Sequence, residues 1–280
     1  MIKIKLFGDF GDREKYKTIV ENIYDASNNP FYGVDKKIFI TNDDDFTHAI
    51  ILNKDMPDLK IPKENVLGLA CEPYEYLCVN ETFVNYAQKH IGKYLIGDKH
   101  DLPEPFIEHF GYMWHSNPKK DFFYKPNIMS IVVSEKTGAP GHRYRHILAK
   151  EIVKYNLPVD IYGRGSNGYK SAQMKGTFHD VEPYETYMFS ICIENFSNNH
   201  YFSEKIITPL LYNCRPIYCG CKNIRQYFND DTITLSGVAS IDIQLIIQIL
   251  NNPSLYYKKT YTDKNLKTVN LLHNLDKLFD

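Results

Sequence analysis

Glu204 and Lys205 stand side by side at the head of an apolar run, IITPLL, just past a strand-like segment and a polar loop. A lysine in the first turn of a helix opposes the helix dipole. An anionic ligand at that helix start would compensate, leaving Glu204 to accept hydroxyl hydrogens from a ribose or hexose. The bland alternative is a surface ion pair that contributes almost nothing. Asn195 and Tyr201, in the loop between strand and helix, add a polar and an aromatic group beside the pair.

Other chemistry-bearing residues lie upstream. In VVSEKTGAPGHRYRHILAKEI a strand runs into a Gly/Pro loop, and Arg143 and Arg145 open a helix. A loop with a helix N-terminus behind it suits phosphate, and arginine adds a bidentate contact; two surface arginines on an amphipathic helix are the alternative. Gly163, Gly165 and Gly168 fit G-x-G-x-x-G after a strand, but YKSAQMKGTF is a poor helix start, and Asp180 and Glu182 come too early for a ribose-binding acid. The motif therefore reads as a loop near a ligand rather than a dinucleotide cradle. Glu72 follows an apolar strand directly and is held by Pro73, as either a general base or a strand-terminal surface acid. Asp43, Asp44 and Asp45 form an acidic turn of the kind that can take a hard cation. Cys214, Cys219 and Cys221 are close together but lack paired C-x-x-C spacing and a histidine pair, so no metal site is assigned. No G-x-S-x-G elbow is present, and the H-x-x-x-H pair His142 and His146 has Arg143 where a zinc hydrolase carries Glu, so no hydrolase template is met.

These residues need elements to position them. Apolar runs predict strands over residues 2–7, 37–41, 49–53, 66–71 and 94–97, with helices over 13–24 and 81–91. HSNPKKDFFYKPN reads as a linker. A second series follows: strands over 128–134, 158–162, 189–193 and 216–219, and helices over 143–155, 203–212, 241–250 and 265–279. The alternation implies two α/β domains, 1–120 and 121–280, each with a mostly parallel sheet, and ligands bind beyond the carboxyl ends of such strands. The last amphipathic helix can pack back on the N-terminal domain.

The bulk numbers exclude several classes. The 280 residues are 43% hydrophobic with net charge -1, so no broad basic surface for nucleic acid is indicated. Lys36-Lys37 and Lys119-Lys120 read as solvated surface. No apolar run reaches the ~20 residues of a membrane span, and MIKIKLFGDF is too charged for a secretory signal. The expectation is a soluble cytoplasmic protein with reduced cysteines.

YMFSICIEN followed by YFSEKIITPLLYNCRPIYCG closely resembles the signature of the α-1,3/4-fucosyltransferases, glycosyltransferase family 10: F-x-x-x-F-E-N, then Y-x-T-E-K-I, then a P-I/V-Y-x-G strand. VDIYGRG and the VVS…R stretch resemble further segments of that family, and the likeness is strong over 128–221. The resemblance implies a GT-B fold, two Rossmann-like domains facing each other across a cleft. It implies an inverting transfer of L-fucose from GDP-fucose to a hydroxyl of an acceptor oligosaccharide or glycoprotein glycan. By position it assigns Lys205 and Arg145 (Arg143 as the fallback) to the diphosphate and Glu204 to ribose or sugar hydroxyls. Tyr201, Asn195 and Gly163 line the nucleotide side, and Glu72 is the catalytic base. No cofactor or resident metal is required, although a loosely bound divalent cation could assist the diphosphate. Ile193, Ser203 and Cys219 depart from the family's Phe, Thr and Trp. The last departure leaves GDP-mannose, a GDP-deoxyhexose or UDP-xylose as alternative donors; a non-catalytic glycan- or nucleotide-binding module is the further alternative. With no stem or anchor in the sequence, the chain is expected to be of the soluble microbial or viral type.

Overall fold

The computed structural model describes residues 1–10, 16, 31–33, 35, 37–113, 115–116, 124–179, 181–258 and 263–279. The helix expected over 13–24, Lys36, the Lys119-Lys120 pair, Asp180 and most of the expected linker lie outside the described residues. The chain forms two compact units. One comprises Met1–Asn117, Asn198–Tyr201 and Lys264–Asp280; the other comprises Pro118–Ser197 and Phe202–Asp263.

Among the described residues the first unit carries seven strands: β1 (Ile2–Gly8), β2 (Phe31–Tyr32), β3 (Ile38–Ile40), β4 (His48–Leu52), β5 (Val66–Leu69), β6 (Lys93–Ile96) and β7 (Phe106–Glu108). Their order is β2-β3-β1-β4-β5-β6-β7, and every neighbouring pair is parallel except β2 with β3. Strands β4 and β5 carry almost nothing but apolar side chains, as a parallel sheet covered on both faces requires. Gly68 in β5 makes room for a large ring: a Cβ there would come within 2.0 Å of the Tyr94 side chain. The Tyr94 hydroxyl donates to Asn53 O at 2.7 Å beyond the end of β4.

Leu266, Val269, Leu272 and Leu275 are buried, as the amphipathic pattern over 265–279 requires, but the single helix expected there is broken. It divides into Asp263–Val269, Leu271–Asn274 and a 3-10 turn at Leu275–Lys277. Asn270 causes the break. Its buried side-chain oxygen accepts from the backbone N–H groups of Leu272 and His273, and its Nδ2 donates to His115 O at 3.0 Å. An asparagine that satisfies a helix start in this way ends the helix before it.

The second unit carries β8 (Asn127–Val132), β9 (Val159–Tyr162), β10 (Met174–Gly176), β11 (Tyr187–Ile193), β12 (Arg215–Cys219) and β13 (Ile233–Thr234). The order is β10-β9-β8-β11-β12-β13, parallel throughout. Counted from β8, this is the 3-2-1-4-5-6 order of the Rossmann fold. Leu148, Ala149 and Ile152 of the Pro140–Lys154 helix share a core with Ile243, Ile246 and Ile249 of the Ala239–Asn251 helix and with Ile131, Val159 and Ile191 of the sheet. The helix at Glu204–Leu211 buries Ile206, Ile207, Leu210 and Leu211. Strand order reverses between β8 and β11, so the loops leaving those two strands open the crevice where such a sheet takes its ligand.

Candidate active site

The loop leaving β8 runs into the Pro140–Lys154 helix, called here the arginine helix. The helix starts three residues before the expected position because Pro140 and Gly141 are its first turn rather than loop. Proline is preorganised for that place. Gly141 lets the turn lie directly on the backbone after β11. Its N–H donates to Asn195 O at 3.0 Å, and a Cβ would come within 1.7 Å of Glu194 O. One turn later Arg145 is buried and donates from Nη2 to Asn195 Oδ1 at 2.7 Å. Arg143 is exposed and turns back on its own loop, donating to Thr137 O and Gly138 O. His142 is also buried and accepts the Ala139 N–H on Nδ1. Desolvation, with Arg145 beside it, holds the His142 imidazole below its ordinary pKa.

The loop leaving β11 runs into the lysine helix, Glu204–Leu211. Glu194, the first residue of that loop, is 1% exposed. Its Oε1 accepts the Ser203 N–H at 2.9 Å, and its Oε2 accepts the Ser203 hydroxyl at 2.7 Å. Lys205 Nζ lies 3.6 Å from Glu194 Oε2 and donates to Ser203 Oγ at 3.1 Å and to Glu204 Oε1 at 2.9 Å. The dipole argument for an anionic ligand is corrected by this geometry: the lysine in the first turn is already balanced by two carboxylates of its own chain. Burial disfavours the Lys205 charge, but Glu194 and Glu204 outweigh it and raise the ammonium above its ordinary pKa. The Glu204 side chain is mostly exposed. Desolvation opposes its ionisation and Lys205 overcomes it, leaving the carboxyl below its usual value.

Glu72 lies in the first unit, beyond the carboxyl end of β5. Asn53 fixes the chain just before it: Asn53 N–H donates to Leu69 O at 2.8 Å, and its Oδ1 accepts the Cys71 N–H at 2.9 Å. Pro73 then caps the short helix Tyr74–Leu77. Residues 198–201 pack in this unit although they fall between β11 and the lysine helix in sequence. Asn198 Nδ2 donates to both Glu75 oxygens, Asn199 holds Asp98 through its backbone and side chain, and the buried Tyr201 hydroxyl reaches Glu72 Oε2 at 3.4 Å.

The expected site residues therefore fall into two groups. Arg145, Asn195, Glu204 and Lys205 gather at the switch point of the second unit, and Tyr201 accompanies Glu72 in the first. Gly163 belongs to neither group. Its φ of +94° and the 2.4 Å approach of a Cβ to Val133 O explain the glycine as the place where the loop after β9 crosses the end of β8. The segment that follows, Arg164–Gly168, is a 3-10 turn and not the α-helix a dinucleotide fingerprint needs. Asp44 and Asp45 pair with Lys5 and Lys3 rather than converging on a cation. All six cysteines are free thiols, and among the described residues no three His, Cys, Asp or Glu side chains converge as metal ligands. Among the described residues no helix is long and apolar enough to cross a membrane. Glu194 and His142 were not anticipated as site residues. The available signal was an acid and a histidine placed at the two carboxyl edges that the topology later joins.

Residues 124–240 match the sequence profile of the glycosyltransferase family 10 (fucosyltransferase) C-terminal domain, which covers both loops of the switch point. A protein of Acanthamoeba polyphaga mimivirus named "Putative fucosyltransferase" is 29% identical to this chain over 159 residues, 49% of the chain and 26% of the relative. The chain thus spans about a quarter of the length of that curated relative. Among solved structures, an α1,3-fucosyltransferase with GDP-fucose aligns over 100% of this chain and 90% of its own, with a TM-score of 0.57 and 13% identity. An α-glucosyltransferase in complex with UDP-glucose and DNA containing an abasic site aligns over 98% and 95%, with a TM-score of 0.54 and 9% identity. These likenesses establish the fold of the chain as GT-B, made of two Rossmann-like α/β units.

Proposed function

We propose that this chain is an inverting fucosyltransferase that moves L-fucose from GDP-fucose to a hydroxyl of an acceptor glycan, in the manner of the α-1,3-fucosyltransferases. The observation that carries the reading is the pair of cations at the switch point, buried Arg145 on Asn195 and half-buried Lys205 on Ser203 and Glu194, inside the segment matched to the fucosyltransferase profile. In this reaction Glu72 takes the proton from the acceptor hydroxyl. The acceptor oxygen attacks the anomeric carbon from the face opposite the diphosphate, the bond from that carbon to the diphosphate oxygen breaks, and GDP departs with the electron pair. The sugar passes through an oxocarbenium-like transition state. Negative charge grows on the departing oxygen, so Arg145 and Lys205 stabilise the transition state more than the bound donor. Glu204, exposed at the helix start, is placed to accept ribose or sugar hydroxyls. Asn195 orients Arg145, and Tyr201 acts on Glu72 rather than on the nucleotide. The scheme routes no step through a metal ion.

A second reading keeps the chemistry and changes the donor to another GDP-linked hexose or to UDP-xylose. Cys219 favours it: this residue ends β12 half-buried against the turn at Gly237, where the family pattern carries a much larger Trp. A thermal-shift panel of nucleotide sugars tests both readings, because a ligand that binds only the folded state raises Tm by mass action. GDP and GDP-fucose are expected to stabilise the protein and UDP-sugars are not. Stabilisation by UDP-xylose alone refutes the guanine assignment, and GDP-mannose outperforming GDP-fucose moves the sugar assignment to the second reading.

A further inference from the structure

We propose that Glu194 is the positioning residue of the diphosphate site: its buried carboxylate, acting through the Ser203 hydroxyl, holds the Lys205 ammonium charged and aimed. The inference rests on the proposed role of Lys205 at the diphosphate.

Glu194 occupies a place where the sheet would accept an apolar side chain at lower cost. The two residues before it, Cys192 and Ile193, and Ile191 before them are all buried. Burying a carboxylate costs several kcal/mol unless its oxygens are met by donors and a counter-charge. Here they are met completely. Oε1 takes the Ser203 N–H, Oε2 takes the Ser203 hydroxyl, and the Tyr218 hydroxyl approaches Oε1 at 3.5 Å. Gly220 lets the chain after β12 close on the side chain: a Cβ there would come within 2.4 Å of Glu194 Cγ, while Gly141 packs on the Glu194 backbone, where a Cβ would come within 1.7 Å of Glu194 O.

The hydroxyl of Ser203 connects the acid to the base. It donates to Glu194 Oε2 at 2.7 Å and, through its lone pairs, accepts from Lys205 Nζ at 3.1 Å. An ammonium has three donors. Ser203 and Glu204 take two of them, so the direction of the third is set by the pair. The Glu194 carboxylate stands 3.6 Å from the nitrogen, close enough for strong attraction and too far to occupy that third donor. Of the other charged groups in this cluster, Glu204 supports the Lys205 charge and Arg145 opposes it, while His142 and Lys136 lie on the arginine side. With Glu194 neutral, burial and Arg145 act on Lys205 against Glu204 alone.

The test is Glu194→Gln, near-isosteric and able to keep the contact to the Ser203 N–H. Two measurements are made on wild type, Glu194→Gln and Lys205→Ala: GDP affinity by calorimetry across neutral to alkaline pH, and the Lys205 titration by side-chain NMR without nucleotide. An opposite charge at this range shifts a pKa by ~1–3 units, so Lys205 in Glu194→Gln should titrate at least about one unit lower. The alkaline loss of GDP affinity should move with it, and affinity at neutral pH should drop about tenfold or more. If Glu194→Gln does not fold, Ser203→Ala, which removes only the bridging hydroxyl, is expected to lower both readouts in the same direction. A folded Glu194→Gln, or failing that a folded Ser203→Ala, with unchanged Lys205 titration and unchanged GDP affinity overturns the positioning role. Intact coupling in a wild-type protein that binds no GDP refutes the proposed function and leaves the coupling standing.

Discussion

Gly141→Ala sets local propensity against tertiary packing, and the two predict opposite signs. In a helix, alanine is favoured over glycine by up to ~1 kcal/mol, so propensity alone predicts a stabler arginine helix. At Gly141, however, an added Cβ meets backbone: Glu194 O at 1.7 Å, Glu194 C at 2.9 Å and Asn195 O at 3.0 Å. Backbone cannot rotate away as a side chain can, so the helix start and the 194–195 segment must separate. Overpacking of this kind costs about 1–3 kcal/mol. The separation also loosens the 2.7 Å bond from Arg145 to Asn195, a charge-assisted hydrogen bond of ~1.5–3 kcal/mol. Against the propensity gain, the net expectation is a loss of about 1.5–5 kcal/mol, read as a lower urea midpoint at unchanged slope. GDP affinity should fall by about tenfold or more, since Arg145 loses the partner that aims it. Gly138→Ala is the control, because nothing lies within 4 Å of a Cβ there. A Gly141→Ala protein as stable as Gly138→Ala, with wild-type GDP affinity, refutes the close-packed switch point.

Lys205→Ala is expected to lower kcat/KM ~30- to 1000-fold, corresponding to ~2–4 kcal/mol of transition-state stabilisation, and near-wild-type turnover removes it from the diphosphate. Glu72→Gln should abolish transfer and leave GDP binding intact; lost GDP binding instead takes Glu72 out of the base role. Lys125→Met removes an ammonium that donates to Tyr184 O, Glu185 O and Tyr212 O at 3.2, 2.7 and 2.5 Å, where two helices end. The variant should lose about 2–4 kcal/mol by urea unfolding, and an unchanged midpoint shows that water replaces the lysine. His109, His115 and His142 are all held below their ordinary pKa, chiefly by desolvation. Depressed histidines bind fewer protons folded than unfolded, so their stabilisation is complete above the unfolded value near ~6.5 and is lost as pH falls through the folded values. Tm should therefore drop between about pH 7 and pH 5, and a flat profile there contradicts the buried neutral state.

The strands of both sheets were legible because a parallel sheet writes its strands as short apolar runs, and VLGLA and FSICI say so without ambiguity. The short edge strands β2, β7, β10 and β13 were not, since two or three residues carry no periodicity. The break at Asn270 was missed for a related reason. The apolar face continues through it, and only the side-chain oxygen of one residue marks the new helix start. In the candidate site, adjacency pointed to Glu204 and Lys205, and the family likeness pointed to Asn195 and to Arg145 ahead of Arg143. The physical difference between the two arginines was not legible, because it depends on which of them faces Asn195 across the strand reversal. Glu194 reads in sequence as the end of a strand. It becomes a site residue only when β8 and β11 are seen as neighbours.

The same topology changes the meaning of the acid and base side by side. An uncompensated lysine at a helix start would make a site that binds any anion, and binds the donor as tightly as the departing diphosphate. What surrounds Lys205 is instead two carboxylates against two cations, Arg145 and Lys205 itself, with His142 kept neutral. Such a cluster has little net charge to offer a ground-state ligand. Its strength would lie in orientation: in the proposed transfer, dipoles and charges already fixed by Ser203, Asn195 and two close-packed glycines would need no rearrangement as charge developed on the leaving oxygen. That favours rate over affinity. It follows that disrupting Glu194 or Gly141 should depress kcat more than it weakens GDP binding, whereas removing Lys205 should depress both.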